Sequence, residues 1–304
     1  MSGAPTVLFD VPGPKARVRH RIIGAVALVL LVLAVVMVAL GLANPENNQF
    51  APEKWNPFQL RSTWTAYILP GLLNTLLAAV TAVVLSIIAG VLLGLGRLAP
   101  NRVVRFLCGV FVEFFRAVPV LMMMLFSFYL GLYVFQFTGP GGLFFGVVSG
   151  LFFYNASVIA ELVRSGVGSL PRGQREAGLA IGMTEGQTLF SIQLPQAITA
   201  MLPSIVSQLV VILKDTALGT WITYTDLLQQ ASNLGSAYAN TIPSLMVVAV
   251  MYIVINYALT WVARWLERRL KASGRGPRRR PEAGVAGPAD PAPAEPVTAG
   301  TAEK

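Results

Sequence analysis

The sequence is poor in the residues that catalytic, metal-binding and disulfide-bonded proteins need. Its 304 residues include one cysteine, Cys108, and one histidine, His20. A disulfide within the chain is therefore excluded, and a Cys/His metal site is not expected. Charged residues make up 12% of the chain, whereas soluble domains carry about 25%. We therefore predict no catalytic residue, no metal and no cofactor bound by this chain.

What the chain has in excess is apolar surface. Hydrophobic residues form 55% of the sequence, which is more than a soluble domain of this size can bury. The net charge of +9 would suit nucleic acid if the basic residues formed one face, but they lie in short clusters between apolar runs. We predict a multi-pass protein of the cell membrane, in contact with the lipid bilayer and with no nucleic-acid partner.

The apolar runs predict an all-α polytopic membrane helix bundle. A helix needs about 20 residues to cross the bilayer, and about six segments approach that length. They are residues 22–42, a helix starting at Pro70-Gly71 within the uncharged stretch 62–96, and residues 118–137, 143–163, 196–213 and 242–265. Residues 103–116 predict a short amphipathic helix, and Gly90 and Gly94 predict a close approach by a neighbouring helix.

Two features decide how the first helix and the termini are placed. A cleaved signal peptide is the alternative for residues 22–42, but its apolar part should be only about 7 to 15 residues long. Asn44-Pro45-Glu46-Asn47 is also a poor cleavage site, so a retained helix is favoured. With the N-terminus inside, 20 of the 23 Lys and Arg residues fall in cytoplasmic segments. Both termini are therefore predicted to be cytoplasmic.

The long polar stretch, residues 164–196, lies on the cytoplasmic side in this arrangement. Residues 174–181 favour a helix that Gly182 can end in a left-handed conformation. Thr184 and Gln187 have the spacing of a capping box that starts a second helix. Apolar contacts would come from Leu179, Met183, Leu189 and Phe190. We predict two short helices joined at a turn and suited to docking into a groove on a soluble partner.

This stretch resembles the coupling-loop motif of permease subunits in bacterial ABC importers. The motif is Glu-Ala-Ala, three residues, Gly, nine residues, Ile, any residue, Leu-Pro. The chain carries it as Glu176-Ala177-Gly178, Gly182, Ile192 and Leu194-Pro195. Gly178 departs from the usual alanine, and glycine weakens a helix by about 1 kcal/mol. A looser first helix is therefore expected, with no contact group removed.

Further segments resemble the polar amino-acid branch of that family, the histidine, glutamine, arginine and glutamate permeases. They are residues 113–121, 160–166, 173–177 and 213–218, and the whole resemblance covers about residues 67–269. Residues 7–10 and the basic stretch before an additional first helix resemble actinobacterial glutamate permeases. The implied organisation is a cytoplasmic N-terminus (1–21), an extra transmembrane helix (22–43), an extracellular loop (44–66), a permease domain (67–266) with the coupling loop (164–196), and a disordered cytoplasmic tail (267–304).

The resemblance implies a pump with two permeases, identical or homologous, two ABC ATPase subunits and an extracellular amino-acid-binding protein. ATP and Mg would be bound by the ATPase subunits, since no lysine in this chain follows a glycine as the phosphate-binding loop requires. The implied cargo is a polar amino acid, with glutamate favoured. The residues implied to couple to the ATPase are Gln174, Glu176, Ala177, Gly178, Gly182, Ile192, Leu194 and Pro195.

Polar residues at membrane depth need a partner, which makes five of them candidates for the substrate pathway. They are Asn74, Asn155, Glu161, Lys214 and Asp215. The two asparagines fit helix–helix hydrogen bonds better than substrate contacts. The glutamate can meet a substrate amino group or pair with Arg164 at i,i+3. Lys214 and Asp215 can bind a zwitterionic substrate, form a gate pair or anchor the helix at the membrane interface.

Three other functions stay open. A secondary amino-acid transporter driven by an ion gradient would place acidic residues at helix centres and would leave the coupling motif unexplained. A membrane-embedded enzyme would need acid–base or metal-binding residues that are scarce here. A structural assembly subunit would have no pathway of its own.

Overall fold

The computed structural model describes residues 13–45 and 48–273, and this part of the chain is helical without a β-strand. The all-α prediction is confirmed. In chain order the principal helices are α1 (Pro14–Ala43), α2 (Leu69–Leu98), α3 (Arg102–Ala117), α4 (Val120–Tyr133), α5 (Gly139–Gly168), α6 (Arg172–Ala180), α7 (Glu185–Thr188), α8 (Leu194–Asp215), α9 (Leu227–Tyr238) and α10 (Thr241–Ser273). Residues 7–10 and most of the predicted tail lie outside the described residues, and residues 267–273 continue α10.

The predicted spans coincide with observed helices. Five helices of the described chain are long and apolar enough to cross a membrane, and a sixth span results if α3 and α4 are counted as one bent pair. The axes of α3 and α4 differ by 102°. α5 runs past the predicted end at residue 163 to Gly168, so the polar stretch between spans begins later than predicted. α4 ends at Tyr133, and Gln136, three residues later in the chain, has a left-handed backbone conformation.

Two prolines follow widened helical turns. The sequence predicts that Pro70 begins the second span, whereas the helix runs without a break from Arg61 to Leu98. A π-helical turn, Trp64–Ile68, precedes this proline, and Leu189–Gln193 forms the same kind of turn before Pro195. A proline lacks the helical N–H, and its ring crowds the carbonyl four residues earlier. A widened turn accommodates this without ending the helix.

α2 and α5 form the centre of the bundle because small residues let them touch. A Cβ on Gly90 would lie 2.6 Å from Ile159 Cβ, and one on Gly94 would lie 2.7 Å from Val163 Cβ. The predicted close approach is confirmed, and α5 is the neighbour. Buried apolar residues from α2, α4, α5 and α8 complete the core: Ala78, Ala82, Met124, Val147, Leu151 and Ile212.

α1 stands apart from this core. None of its most apolar stretch is buried within the described chain, and Leu31, Met37 and Leu40 are among its exposed large side chains. The apolar residues surround the helix on every side rather than forming one stripe. Such a helix suits an environment of lipid tails.

The segment between α8 and α10 is more ordered than its mixed sequence indicates. A 3₁₀ helix, Thr216–Ile222, ends at Thr223, whose φ of 59° turns the chain toward α9. α9 then packs against α10 and α2. Its many amide and hydroxyl side chains carry no long apolar period, so the sequence does not predict this helix.

Candidate coupling site and transport pathway

The polar stretch folds as two short helices that meet at a tight turn, here called the coupling hairpin (residues 169–193). Gly182 has a φ of +86°. Its N–H and that of Met183 bond back to carbonyls of α6 at 3.0 and 3.1 Å, which is the Schellman ending of a helix. Thr184 and Gln187 exchange side chain–backbone hydrogen bonds of 3.2 and 2.8 Å that begin α7. Both predicted caps are confirmed.

Gly178 is the contact point between the two arms of the hairpin. A Cβ at this position would lie 2.8 Å from both Cγ2 and Oγ1 of Thr188, and 3.1 Å from Ile192 Cδ1. Gly178 and Thr188 are both buried. Gly178 therefore has a packing role that the sequence did not indicate, because Thr188 occupies the space that an alanine methyl group would need.

The base of the coupling hairpin is joined to two spanning helices. Its buried cluster takes Val163 and Val167 from α5 and Ala197 and Met201 from α8. Leucines from the hairpin and its flanks pack against this cluster: Leu170, Leu189 and Leu194. Close-packed interiors transmit displacement because they leave no space to absorb it. The hairpin is therefore packed against α5 and α8 together.

The opposite side of the hairpin is exposed. Ile181 is 78% exposed and Phe190 is 56% exposed, which places large apolar side chains in solvent. Arg175 pairs with Glu185 across the arms. Among the predicted coupling residues, the exposed ones are Gln174, Glu176, Ala177, Gly182 and Pro195. Gly178, Ile192 and Leu194 instead hold the hairpin together, so the structure divides the motif into an outer face and an inner support.

Glu161 is the centre of an ion cluster. Its carboxylate lies 2.8 Å from Arg97, 3.5 Å from Arg116 and 2.5 Å from Arg164. Glu113 of α3 joins this cluster at 2.9 Å from Arg97. The predicted pairing with Arg164 is confirmed. Three guanidinium groups around one carboxylate disfavour the alternative, a contact with a substrate ammonium, and the cluster instead ties α2, α3 and α5 together.

Both asparagines at membrane depth have partners. Gln208 Nε2 of α8 donates to Asn155 Oδ1 at 2.6 Å, and Asn155 Nδ2 donates to the Leu151 carbonyl at 2.7 Å. Asn155 therefore links α5 to α8, as predicted. Asn74 Nδ2 donates to the Thr225 carbonyl at 2.9 Å. It thus fixes the segment before α9 instead of joining two spans.

Lys214 and Asp215 lie at the end of α8. Lys214 is exposed and Asp215 is half-buried. The ion pairs of the described residues do not include one between them, so the gate pair is not formed here. Lys214 lines a groove of about 760 Å³ beside α10, where Tyr252 and Asn256 form part of the wall.

Asp226 is a fully buried residue that the sequence analysis did not single out. Its carboxylate caps α9 by accepting from Gln229 N–H at 2.8 Å, and it also accepts from Tyr252 Oη at 3.3 Å and Thr220 Oγ1 at 3.4 Å. Burial raises the pKa of Asp226 to about 6, against the lowering effect of these hydrogen bonds. An acid directly before Leu-Leu-Gln-Gln is a helix-start signal that could have located it.

The helical fold agrees with known proteins. Residues 82–272 match the family described as binding-protein-dependent transport system inner membrane component. The chain belongs to this family. The glutamate transport system permease protein GluD of Corynebacterium glutamicum is 46% identical to this permease over 226 residues, which is 74% of this chain and 83% of that protein. The probable glutamine ABC transporter permease protein GlnP of Bacillus subtilis is 33% identical over 211 residues, 67% of this chain and 94% of that protein.

Solved structures share the permease fold. A chain in the crystal structure of an amino acid ABC transporter with histidines has a TM-score of 0.62 and 27% identity, and the match covers 68% of this chain and 95% of that one. An inward-facing structure of the MetNI methionine ABC transporter has a TM-score of 0.57 at 17% identity, covering 69% of this chain and 99% of that one. The permease is a multi-pass component of the bacterial cell membrane that serves transport and is not itself catalytic.

Proposed function

We propose that this permease is the membrane subunit of an ATP-driven importer that moves a polar amino acid, with glutamate favoured, into the cell. The coupling hairpin is the observation that carries the proposal. It combines an exposed outer face with a base packed on α5 and α8, so a protein bound to the face can move both helices as one body. Relatives named for glutamate and glutamine transport support the cargo class.

The proposed motor is a pair of ATPase subunits that bind ATP and Mg²⁺ and dock on the hairpin from the cytoplasm. A cleft of about 430 Å³ runs beside the hairpin, with Arg172, Arg175 and Glu176 among its lining residues. Exposed Ile181 and Phe190 lie on the same hairpin. Apolar anchors beside charged groups are the composition of a protein-docking surface.

A second permease, identical or homologous, is proposed to cover the face formed by α8 and α10. Ser207, Thr260 and Arg264 line a cleft on this face. Asn256 Oδ1 nearby is buried and has no hydrogen-bond partner among the residues that the structure describes. Polar groups at membrane depth need protein or water beside them. Two such faces would enclose the substrate pathway.

An extracellular amino-acid-binding protein would deliver the cargo to the outer end of that pathway. The Lys214 ammonium can attract a substrate carboxylate, and the Asp215 carboxylate can attract the ammonium group of the same zwitterion. Uptake of radiolabelled glutamate by cells with and without the permease tests the cargo, with unlabelled amino acids as competitors. Equal uptake in the two strains would contradict the glutamate assignment.

The coupling role is tested in the complex with the ATPase subunits. We expect Glu176→Arg and Gly182→Asp to abolish uptake, the first by reversing a charge on the outer face and the second by straining a left-handed residue. Gly173→Ala is the matched control, since a Cβ there meets no atom within 4 Å. Normal uptake and assembly in both test variants would refute coupling. Uptake that follows an ion gradient instead of ATP would favour a secondary transporter.

A further inference from the structure

α3 presents three different faces. Phe115 stacks on Phe153 of α5 with ring centroids 4.7 Å apart, and Val112 is fully buried, so one face packs on the bundle. A second face is an exposed apolar stripe whose members are between 53% and 68% exposed: Val103, Phe106, Leu107, Val110 and Phe114. Their spacing of three and four residues places them on one side of the helix.

The third face of α3 carries its charges. Arg102 and Arg105 are exposed at the start of the helix. Glu113 and Arg116 lie further along and belong to the ion cluster with Glu161. α3 therefore has three basic residues and one acid beside a stripe of five large apolar side chains. Basic and aromatic-apolar faces side by side are typical of helices that lie at a membrane surface.

The angle between α3 and α4 agrees with that position. The two helices are separated by Val118 and Pro119 and differ in direction by 102°. If α4 enters the bundle along the other spans, α3 cannot also run across the membrane. An in-plane helix would place its apolar stripe toward the acyl chains over its whole length, whereas a spanning helix would place Arg102 and Arg105 at very different depths from Arg116.

We propose that α3 lies in the plane of the membrane surface, with its apolar stripe among the upper acyl chains and with Arg102 and Arg105 at the phosphates of anionic phospholipids. The Glu161 cluster then joins this interfacial helix to α2 and α5 and fixes their height relative to the lipid surface. The leaflet is the cytoplasmic one, and this choice alone rests on the proposed function, which places the neighbouring coupling hairpin in the cytoplasm. Neither the geometry of α3 nor the test below depends on transport.

The depth of α3 is measurable with spin labels on the assembled complex in nanodiscs that contain anionic lipid. Single cysteines at positions 103, 107, 110 and 114, in a Cys108→Ser background, report the accessibility of the label to oxygen and to a water-soluble nickel reagent. A spanning helix would separate the first and last labels by about 16 Å of depth, at 1.5 Å per residue. We expect a spread below about 5 Å, since an in-plane helix keeps its stripe at one depth.

α2 offers the matched control within the same chain. Leu73, Val80 and Leu92 are 58%, 60% and 64% exposed, and α2 is a spanning helix. Labels there should pass from one membrane surface through the centre to the other. A similar depth gradient along α3 would overturn the proposal. Exclusion of both reagents from the stripe would also overturn it, because a protein partner rather than lipid would then cover α3.

The headgroup contact has its own test. The selectivity of the complex for spin-labelled phosphatidylglycerol over phosphatidylcholine, read from the motionally restricted fraction, should fall at least twofold in Arg102→Gln/Arg105→Gln. Arg61→Gln is the control, because it removes an exposed arginine that lies outside α3. This variant should leave the lipid selectivity unchanged. Equal selectivity in the wild type and the double variant would refute the role of the two arginines. Either result leaves the assignment as an importer subunit untouched.

Discussion

The coupling hairpin and the cluster around Asp226 are both closely packed, but they are assembled in opposite ways. In the hairpin, Gly178 meets Thr188 and Thr184 meets Gln187, all within one short segment. Around Asp226 the contacts come from distant parts of the chain, because Tyr252 of α10 donates to its carboxylate and Thr75 of α2 accepts from Leu227 N–H at 2.9 Å. Local contacts leave motifs in the sequence, whereas distant ones leave scattered polar residues that become a site only after folding.

The largest effect on stability is expected from a substitution of Asp226, at the centre of the distant cluster. Asp226→Ala removes a helix cap and the acceptor of hydrogen bonds from the half-buried hydroxyls of Thr220 and Tyr252, which should lower the free energy of unfolding by roughly 3 kcal/mol. Thr184→Ala removes the exposed cap of the hairpin and should cost about 1 kcal/mol. Thermal unfolding of the purified permease in detergent compares the two variants. Equal losses of stability in the two variants would contradict the expectation that the Asp226 cluster contributes more to stability than the hairpin cap.

The pH dependence of stability sharpens the same contrast. The pKa of Asp226 rises from 3.8 to about 6 on folding, so the folded protein holds the proton more tightly than the unfolded chain. The resulting stabilisation is fully present below about pH 4 and is lost as the pH rises through about 6, at most about 3 kcal/mol. Asp226→Asn should flatten this part of the curve of unfolding temperature against pH. A variant curve parallel to that of the wild type would contradict the assignment.

A second cluster built from distant parts of the chain surrounds Glu161. Glu161→Gln leaves Arg97, which is 12% exposed, without the carboxylate that it contacts at 2.8 Å. We expect a loss of about 2 kcal/mol, below the cost in a fully buried pair because the cluster partly reaches water. Glu113→Gln is the control, since Glu113 is 60% exposed and should cost less than about 1 kcal/mol. The same unfolding measurement applies, and a larger effect of Glu113→Gln would reverse our ranking.

The smallest expected effect concerns the local hairpin contact. Gly178→Ala introduces a methyl group 2.8 Å from two atoms of Thr188, which should cost about 1 kcal/mol by overpacking. Thr188→Ala removes both atoms, so the double variant should recover uptake and ATP-coupled activity relative to Gly178→Ala alone. Activities are compared in the reconstituted complex. A double variant no better than the single one would mean that this contact does not shape the hairpin.

Prediction from sequence succeeded where the signal was short-range. Five of the predicted spans, the left-handed Gly182, the capping box at Thr184 and the pairing of Glu161 with Arg164 all depend on residues close together in the chain, and the structure confirms them. Pro70 was misjudged because a widened turn keeps the helix continuous around it. α9 was missed because its residues are stabilised by packing on α2 and α10 rather than by their own apolar pattern.

By itself, the sequence determined that this chain is a membrane protein. It also determined the approximate number of spans and the position of the turn in the coupling hairpin. Those properties follow from local hydrophobicity and backbone preferences, which neighbouring residues fix between them. Only the tertiary structure decided that three arginines converge on Glu161 and that Asp226 is buried against α10. Each of these depends on which helices become neighbours, because the energy of a buried contact belongs to the pair and not to either residue alone.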